Sequence, residues 1–382
     1  MKRALMYASV ASMIQQFNME NIRLLQQLGY EVDVACNMEQ GSTITNEKIV
    51  AMRETLKQMG VETYHVPVPR KATAFGDVIS SIQITRDLIR KNQYALIHCH
   101  SPIGGMVCRI ANRISGVYKK AKMIYTAHGF HFFKGASWKN WLIYYPVERF
   151  CSRFTDLLLT INQEDYAFAK KKLYAKEIKY IPGIGVDVNK FSSKDGAGKR
   201  QEFGIADSNV MLLSVGELSV RKNHEVILRA LAGLTDCAYQ YFIVGLGAKK
   251  EYLENLAAEL GIGDRVHLLG YRTDVAELLN ACDLFAFPSL QEGLPVALME
   301  AMSVGKAVVC SSIRGNTDLV EDGVGGYLVE PKDVDGYRKA MQILLKDDGL
   351  RTEMGCKNKE NVQQFSMETI NRIMFEVYKD NI

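Results

Sequence analysis

No stretch of this chain approaches the roughly twenty apolar residues that a membrane-spanning helix needs, although 47% of its 382 residues are hydrophobic. The opening Met1-Lys-Arg-Ala-Leu-Met-Tyr-Ala-Ser-Val10 resembles an export signal, but its apolar run ends in polar Gln15-Gln16 without a cleavage site. A first β-strand is the better reading. Cys-x-x-Cys is absent too: the eight cysteines (36, 99, 108, 151, 237, 282, 310 and 356) are scattered, mostly among apolar neighbours. They read as small core residues in a reducing compartment, not as disulfide staples or metal ligands. These absences predict a cytosolic protein. The formal net charge is only +4, and no aromatic-and-basic motif accompanies it, so no nucleic-acid partner is expected. No repeat or low-complexity array interrupts the chain, which is long enough for two domains with sizeable cores.

What is present is a rhythm of short apolar runs and helical patterns. Strand candidates at 4–8, 31–35, 63–66, 96–98, 123–126 and 157–160 are separated by helices around 16–28, 45–58, 77–91, 102–115, 139–152 and 163–173. The second half repeats the pattern, with strands at 210–215, 241–244, 265–271 and 283–287. Such alternation predicts α/β architecture with parallel sheets covered on both faces. Ligands of such sheets bind in the crevice at the strands' carboxyl ends. Tyr180-Ile-Pro-Gly-Ile-Gly-Val-Asp187 has the proline and glycines of an interdomain hinge, and 192–200 reads as a polar loop without structure of its own. A last helix, 367–378, carries its apolar face at Ile370, Ile373, Met374 and Val377.

Several crevice loops carry chemistry. Residues 10–17, with Ser9, Ser12 and Gln15 but no glycine, form the loop after the first strand. His98 and His100 share one face of a strand, but no third ligand accompanies them, so a metal is not expected. His128 directly follows a strand beside Gly129, where the backbone can turn sharply towards a ligand. Arg221 and Lys222 open a helix after the strand at 210–215, where a cation beside backbone donors suits a diphosphate. The paired acids at Asp333 and Asp335 start an ordinary surface helix, which favours acids at its N-terminus.

The most informative stretch is Phe287-Pro-Ser-Leu-Gln-Glu-Gly-Leu-Pro-Val-Ala-Leu-Met-Glu-Ala-Met-Ser303. It reads as a buried strand end, a short turn, and an apolar helix with Pro295 in its first turn. Glu292 lies in the turn and Glu300 within the helix, where an ionised carboxylate is costly unless paired. A partly exposed Glu300, with Glu292 as a partner of the helix dipole, is the plainer alternative. Free N–H groups around Gly293 and Leu294 make an anion site between the two acids. Together these groups suit a sugar joined to a nucleotide diphosphate.

Glu292 and Glu300, within Glu292-Gly-Leu-Pro-Val-Ala-Leu-Met-Glu-Ala-Met302, resemble the acidic motif of retaining family 4 glycosyltransferases. The likeness continues through Gly305-Lys-Ala-Val-Val-Cys310 and Gly315-Asn-Thr-Asp-Leu-Val-Glu-Asp-Gly-Val-Gly-Gly-Tyr-Leu-Val329. It spans essentially the whole chain, strongest over 210–330 and looser before 120. The resemblance implies a GT-B fold: two Rossmann-like, doubly wound parallel-sheet domains facing a central cleft. An acceptor domain would occupy 1–182 and a nucleotide-sugar domain 183–365, with a helix at 366–382 returning to the first. By the same resemblance Glu300 holds the ribose hydroxyls, Glu292 and His128 face the donor sugar, and Lys222 binds phosphate. The turn Gly293-Leu294-Pro295 borders the diphosphate, and Leu269, Gly270 and Tyr271 border the nucleobase. His128, Glu292 and Lys222 are thus the expected catalytic residues. Two departures stand out. Glu217 occupies a position where many members have a phosphate-binding arginine, a role Arg221 would have to take, and the loop at 10–17 lacks the family's glycine pair.

Both tryptophans lie in Trp138-Lys-Asn-Trp-Leu-Ile-Tyr-Tyr-Pro-Val-Glu-Arg-Phe-Cys-Ser-Arg-Phe154, among Lys134, Lys139, Arg149 and Arg153. That mixture suits a bilayer interface, or alternatively a core helix with basic ends. The stretch from His128 to Tyr166 also resembles enzymes that build capsular or exopolysaccharide units on lipid carriers. The expectation is therefore a retaining glycosyltransferase that needs neither metal nor cofactor. It would move a hexose or N-acetylhexosamine from a UDP-sugar to a lipid-linked saccharide, bound peripherally to the cytoplasmic face of the inner membrane. A nucleotide-sugar epimerase of the same fold, and a catalytically silent partner subunit, are the alternatives.

Overall fold

The computed structural model describes residues 2–39, 45–70, 74–192 and 195–381. The chain divides into two units, Met1–Ile184 with Ile370–Ile382, and Gly185–Thr369.

The first unit holds seven strands: β1 (Lys2–Val10), β2 (Tyr30–Asn37), β3 (Glu62–His65), β4 (Leu96–His100), β5 (Lys122–Ala127), β6 (Leu157–Thr160) and β7 (Glu177–Tyr180). They form one parallel sheet in the order β3-β2-β1-β4-β5-β6-β7. The inner strands are near-continuous apolar runs because helices cover both faces. β7, with the sequence Glu-Ile-Lys-Tyr, has no such run: it is an edge strand that pairs only with β6. Residues 10–17 are not a loop. Ala11–Phe17 is a helix, and a second one, Met19–Gln27, follows it. Ala11 and Ile14 are buried in the core, and the break falls at Asn18, a buried residue whose side-chain amide donates to the Met13 carbonyl at 2.9 Å. The last helix, Met367–Lys379, buries Ile370, Met374, Val377 and Tyr378 in a cluster with Met6, Leu96 and Ile124.

One buried ion pair joins two helices of this unit. Arg109, from the Pro102–Ile114 helix, donates both terminal nitrogens to Glu148 of the Trp138–Cys151 helix, at 2.7 and 2.9 Å. Its Nε donates to the Gly105 carbonyl at 2.9 Å, and its guanidinium lies 3.9 Å from the centre of the Tyr125 ring. The charge is thus paired, hydrogen-bonded and stacked, as a buried arginine requires.

The second unit holds β8 (Val210–Val215), β9 (Tyr239–Val244), β10 (Val266–Gly270), β11 (Leu284–Phe287), β12 (Ala307–Ser311) and β13 (Gly326–Val329). They form a parallel sheet in the order β10-β9-β8-β11-β12-β13. The expected polar loop at 192–200 contains structure: a helix, Val188–Ser192, ends in it and another, Ala197–Glu202, follows, while residues 193 and 194 lie outside the described part. Tertiary anchoring explains the second helix, since Arg200 donates to Asp283 at 2.8 Å and to the Asn209 carbonyl at 3.0 Å. Asp333 caps the Val334–Lys346 helix by accepting from Gly336 N–H at 2.9 Å.

In each sheet the strand order reverses once, between β1 and β4 and between β8 and β11. The crevice outside the carboxyl ends of those strand pairs is where doubly wound sheets bind ligands.

Candidate active site

The two loops that flank the β8–β11 crevice bring the strongest candidates together. After β8 the chain runs through Gly216 into a short 3-10 turn, Val220–Lys222, and then into the His224–Ala232 helix. After β11 it runs through Pro288–Pro295 into the Val296–Ser303 helix. Lys222 Nζ donates to Glu292 Oε1 at 2.8 Å, and Arg221 Nη1 donates to the same oxygen at 2.9 Å. The Lys222 and Glu292 side chains are only 12% and 11% exposed, while that of Arg221 is 44% exposed. Burial lowers the Lys222 ammonium pKa, and the Glu292 charge partly restores it. The two cations share one Glu292 oxygen, and the charge of Glu217 also acts on Lys222.

Two residues not singled out from the sequence hold this loop. Arg314 donates through Nε and Nη2 to the Glu292 carbonyl, at 3.2 and 3.1 Å. Asn223, in the left-handed region at φ 55°, donates its amide to the carbonyls of Pro288 (3.1 Å) and Pro331 (2.8 Å). Asparagine tolerates that backbone better than most residues, the one sequence signal available for it. Gly315 sits at φ +84°, and a Cβ there would fall 2.5 Å from the Gly293 carbonyl oxygen, so only glycine lets this turn pack against Gly293 and Leu294.

Pro295 is the residue before the helix rather than part of its first turn: its ψ is 117° and helical geometry begins at Val296. None of the described side chains caps this N-terminus, and its first N–H groups have no partner within the helix. Glu300 lies within the helix, and burial pushes its carboxyl up to about 7, opposed by the charge of Lys190. Gly270 closes β10 at φ +67° and its carbonyl accepts from Gly245 N–H at 2.9 Å. Tyr271 beside it is largely exposed. Both lie at the carboxyl end of the strand two places from β8.

His128 belongs to the first unit. It follows β5, next to the end of β4, and its Nε2 lies 3.1 Å from His100 Nδ1. Its ring packs against Phe17, with centroids 5.8 Å apart. His98 uses both ring nitrogens, towards Tyr378 Oη (2.7 Å) and Thr126 Oγ1 (2.8 Å). Burial pushes His128 down to about 4 and His98 to about 3, and His100 falls well below the ordinary range, with the neighbouring imidazoles adding to the effect at His98 and His100. Nearby, Ser101 stands at φ 67° and its hydroxyl lies 2.6 Å from that of Ser9, which accepts from Gly104 N–H at 2.8 Å.

Comparison with known proteins gives the chain a family. The family model for "Glycosyl transferases group 1" matches residues 197–361, and that for "Glycosyl transferase 4-like domain" matches residues 14–182, so the two together take in most of the chain. The chain belongs to the family 4 glycosyltransferases. The glycosyltransferase is 29% identical to EpsD of Bacillus subtilis, over 99% of this chain and 96% of that protein. It is also 29% identical to the UDP-Gal:alpha-D-GlcNAc-diphosphoundecaprenol alpha-1,3-galactosyltransferase of Escherichia coli, over 91% of this chain and 88% of the relative. Among solved structures, HepE of Anabaena in complex with UDP-glucose superposes with a TM-score of 0.78 at 22% identity, covering 99% of each chain. The two parallel-sheet units of the glycosyltransferase are those of the GT-B fold.

Proposed function

We propose that this glycosyltransferase transfers a hexose or N-acetylhexosamine from a UDP-sugar to a lipid-linked saccharide, with retention of configuration and without a metal, in the assembly of capsule or exopolysaccharide. The observation that carries the reading is the cluster of Lys222, Arg221 and Glu292 at the β8–β11 crevice. In the reaction the bond between the anomeric carbon and the diphosphate oxygen breaks, and its electron pair goes to that oxygen. Lys222, Arg221 and the N–H groups at Gly293 and Leu294 stabilise the charge that develops there. The acceptor hydroxyl oxygen bonds to the oxocarbenium-like carbon from the same face, and its proton passes to the departing phosphate oxygen. No protein nucleophile is needed. Glu292 and His128 orient the sugar, Glu300 holds the ribose hydroxyls, and the carbonyl ends around Gly270 and Tyr271 border the base. In this scheme Lys222, Arg221 and those N–H groups take the place of a divalent ion at the diphosphate.

A UDP donor and a lipid-linked acceptor are supported by the Escherichia coli relative, whose name specifies both. The decisive test is turnover by the purified chain of a panel of UDP- and GDP-sugars in EDTA, with and without membrane lipid extract, followed by assignment of the product anomer. Release of UDP that depends on lipid, with an axial donor bond giving an axial product bond, is expected. Isomerised sugar without nucleotide release would replace this reading with an epimerase.

The Glu300 carboxyl at about 7 gives the donor step a pH signature. The ionised form accepts hydroxyl bonds more strongly than the protonated one, so donor binding below pH 7 should release a proton, and affinity should rise between pH 6 and 8. Calorimetry of UDP in buffers of different ionisation enthalpy measures that proton directly, and Glu300→Gln should flatten the profile. In the free protein the sign is opposite. The raised value contributes stability fully present below the ordinary carboxylate range and lost as pH rises through about 7.

The Trp138–Cys151 helix supports association with the cytoplasmic membrane face. Trp138, Leu142 and Phe150 are 69%, 66% and 50% exposed, beside Lys139 and Arg149. No described helix is long and apolar enough to span a bilayer. Because the protein's two tryptophans both lie here, vesicles rich in phosphatidylglycerol should blue-shift the intrinsic emission. Brominated acyl chains should quench it, and neutral vesicles should act more weakly. Unchanged emission with every vesicle would exclude this helix as the contact.

A further inference from the structure

We infer that His100, held by Met6, fixes His128 in the tautomer that carries its proton on Nε2, leaving Nδ1 as a bare acceptor for a substrate hydroxyl. His100 is buried at the end of β4, with Nε2 3.2 Å from Met6 Sδ and Nδ1 3.1 Å from His128 Nε2. A thioether sulfur accepts but cannot donate. If His100 carried its proton on Nδ1, its Nε2 lone pair would face the sulfur lone pairs with no donor between them, a buried acceptor left unpaired. With the proton on Nε2, His100 donates to Met6 and its Nδ1 must accept from His128. His128 Nε2 then carries the hydrogen, and in a neutral imidazole Nδ1 cannot.

Both rings are neutral near pH 7, since burial holds His128 at about 4 and pushes His100 well below the ordinary imidazole range. The groups facing the pair are the rings of His98, 4.1 Å from His100 between centroids, and Phe17 against His128. None of the described residues is hydrogen-bonded to His128 Nδ1. His128 therefore presents a lone pair rather than an N–H. It can hold a hydroxyl, whereas a phosphate oxygen would meet an acceptor. Its depressed basicity suits it to orienting that hydroxyl rather than removing the proton. His100 is a positioning residue: it ends β4 opposite Thr126 of β5, and His128 directly follows that strand.

This inference rests on the sugar-facing role proposed for His128, and the test separates the two. Selectively labelled histidine should be followed by two-bond ¹H–¹⁵N correlation at pH 7, with the seven histidines assigned by single substitution. His128 is expected to show a protonated Nε2 and an unprotonated Nδ1. Met6→Leu, close in volume, should mix the tautomers of both rings. His100→Asn, whose side-chain oxygen can stand in for Nδ1, should preserve the His128 pattern, and His100→Leu should lose it. Loss of that one neutral hydrogen bond should lower kcat by roughly three- to tenfold, with KM little changed. A proton on His128 Nδ1, or a pattern indifferent to both Met6→Leu and His100→Leu, would overturn the assignment. If the tautomer is as inferred but His128→Ala keeps full turnover, the sugar-facing role fails instead.

Discussion

Lys222→Met should lower turnover of the nucleotide sugar by about 100- to 1000-fold, the usual cost of removing one preorganised donor from a site of developing negative charge. The Lys222 ammonium is 12% exposed, bonded to Glu292 at 2.8 Å, and 4.5 Å from the centre of the Phe287 ring. It is therefore fixed before substrate arrives and needs little reorganisation. Methionine keeps the stem that packs against Gly216, so the variant should lose charge without losing fold, which thermal unfolding would verify. Arg221→Met should cost less, because its side chain is 44% exposed and solvent already screens its charge. A fall in kcat/KM of Arg221→Met is the result expected if Arg221 takes the phosphate role for which Glu217 leaves no arginine.

Stability should respond most to the buried pair of Arg109 and Glu148. Arg109→Met removes the guanidinium but leaves a carboxylate 6% exposed and unpaired, which costs about 3–5 kcal/mol. For a unit of this size that lowers the melting temperature by roughly 10 °C. The double variant Arg109→Met/Glu148→Leu should recover much of the loss, because no charge then remains in the core. Melting curves of the two single variants and the double variant give the coupling. If the double variant is the sum of the singles, the pair is not a unit.

Strands such as β8 were legible because Val-Met-Leu-Leu-Ser-Val is buried on both faces and reads as a continuous apolar run. β7 was not, because an edge strand need not be apolar. The Ala197–Glu202 helix was hidden by its polar composition: Arg200 reaching Asp283, 83 positions away, is an interaction that no local pattern contains. The helix at 11–17 was hidden for the opposite reason, since a run as short as Ala-Ser-Met-Ile-Gln-Gln-Phe shows too few turns for its period to stand out. In the site, Glu292 and Lys222 announced themselves as charges where apolar residues or a strand-to-helix turn were expected. Their pairing spans 70 positions and is visible only in three dimensions. Arg314 gave no signal, because an arginine before a glycine looks like any surface turn. His98 and His100 were weighed only as metal ligands, and the hydrogen bonds to Thr126, Tyr378, His128 and Met6 depend on strand neighbours and a helix far along the chain.

The β8–β11 crevice is proposed to bind the diphosphate of the donor through Lys222. Titration calorimetry of UDP into the purified protein, in EDTA, tests it most directly with three proteins: the wild type, Lys222→Met and His128→Ala. A single saturable site is expected in the wild type. Lys222→Met should weaken it at least about tenfold, as loss of a charge-assisted hydrogen bond does. His128→Ala should leave it unchanged, because UDP brings no sugar for that histidine to meet. Equal UDP affinity in the wild type and Lys222→Met would contradict the account.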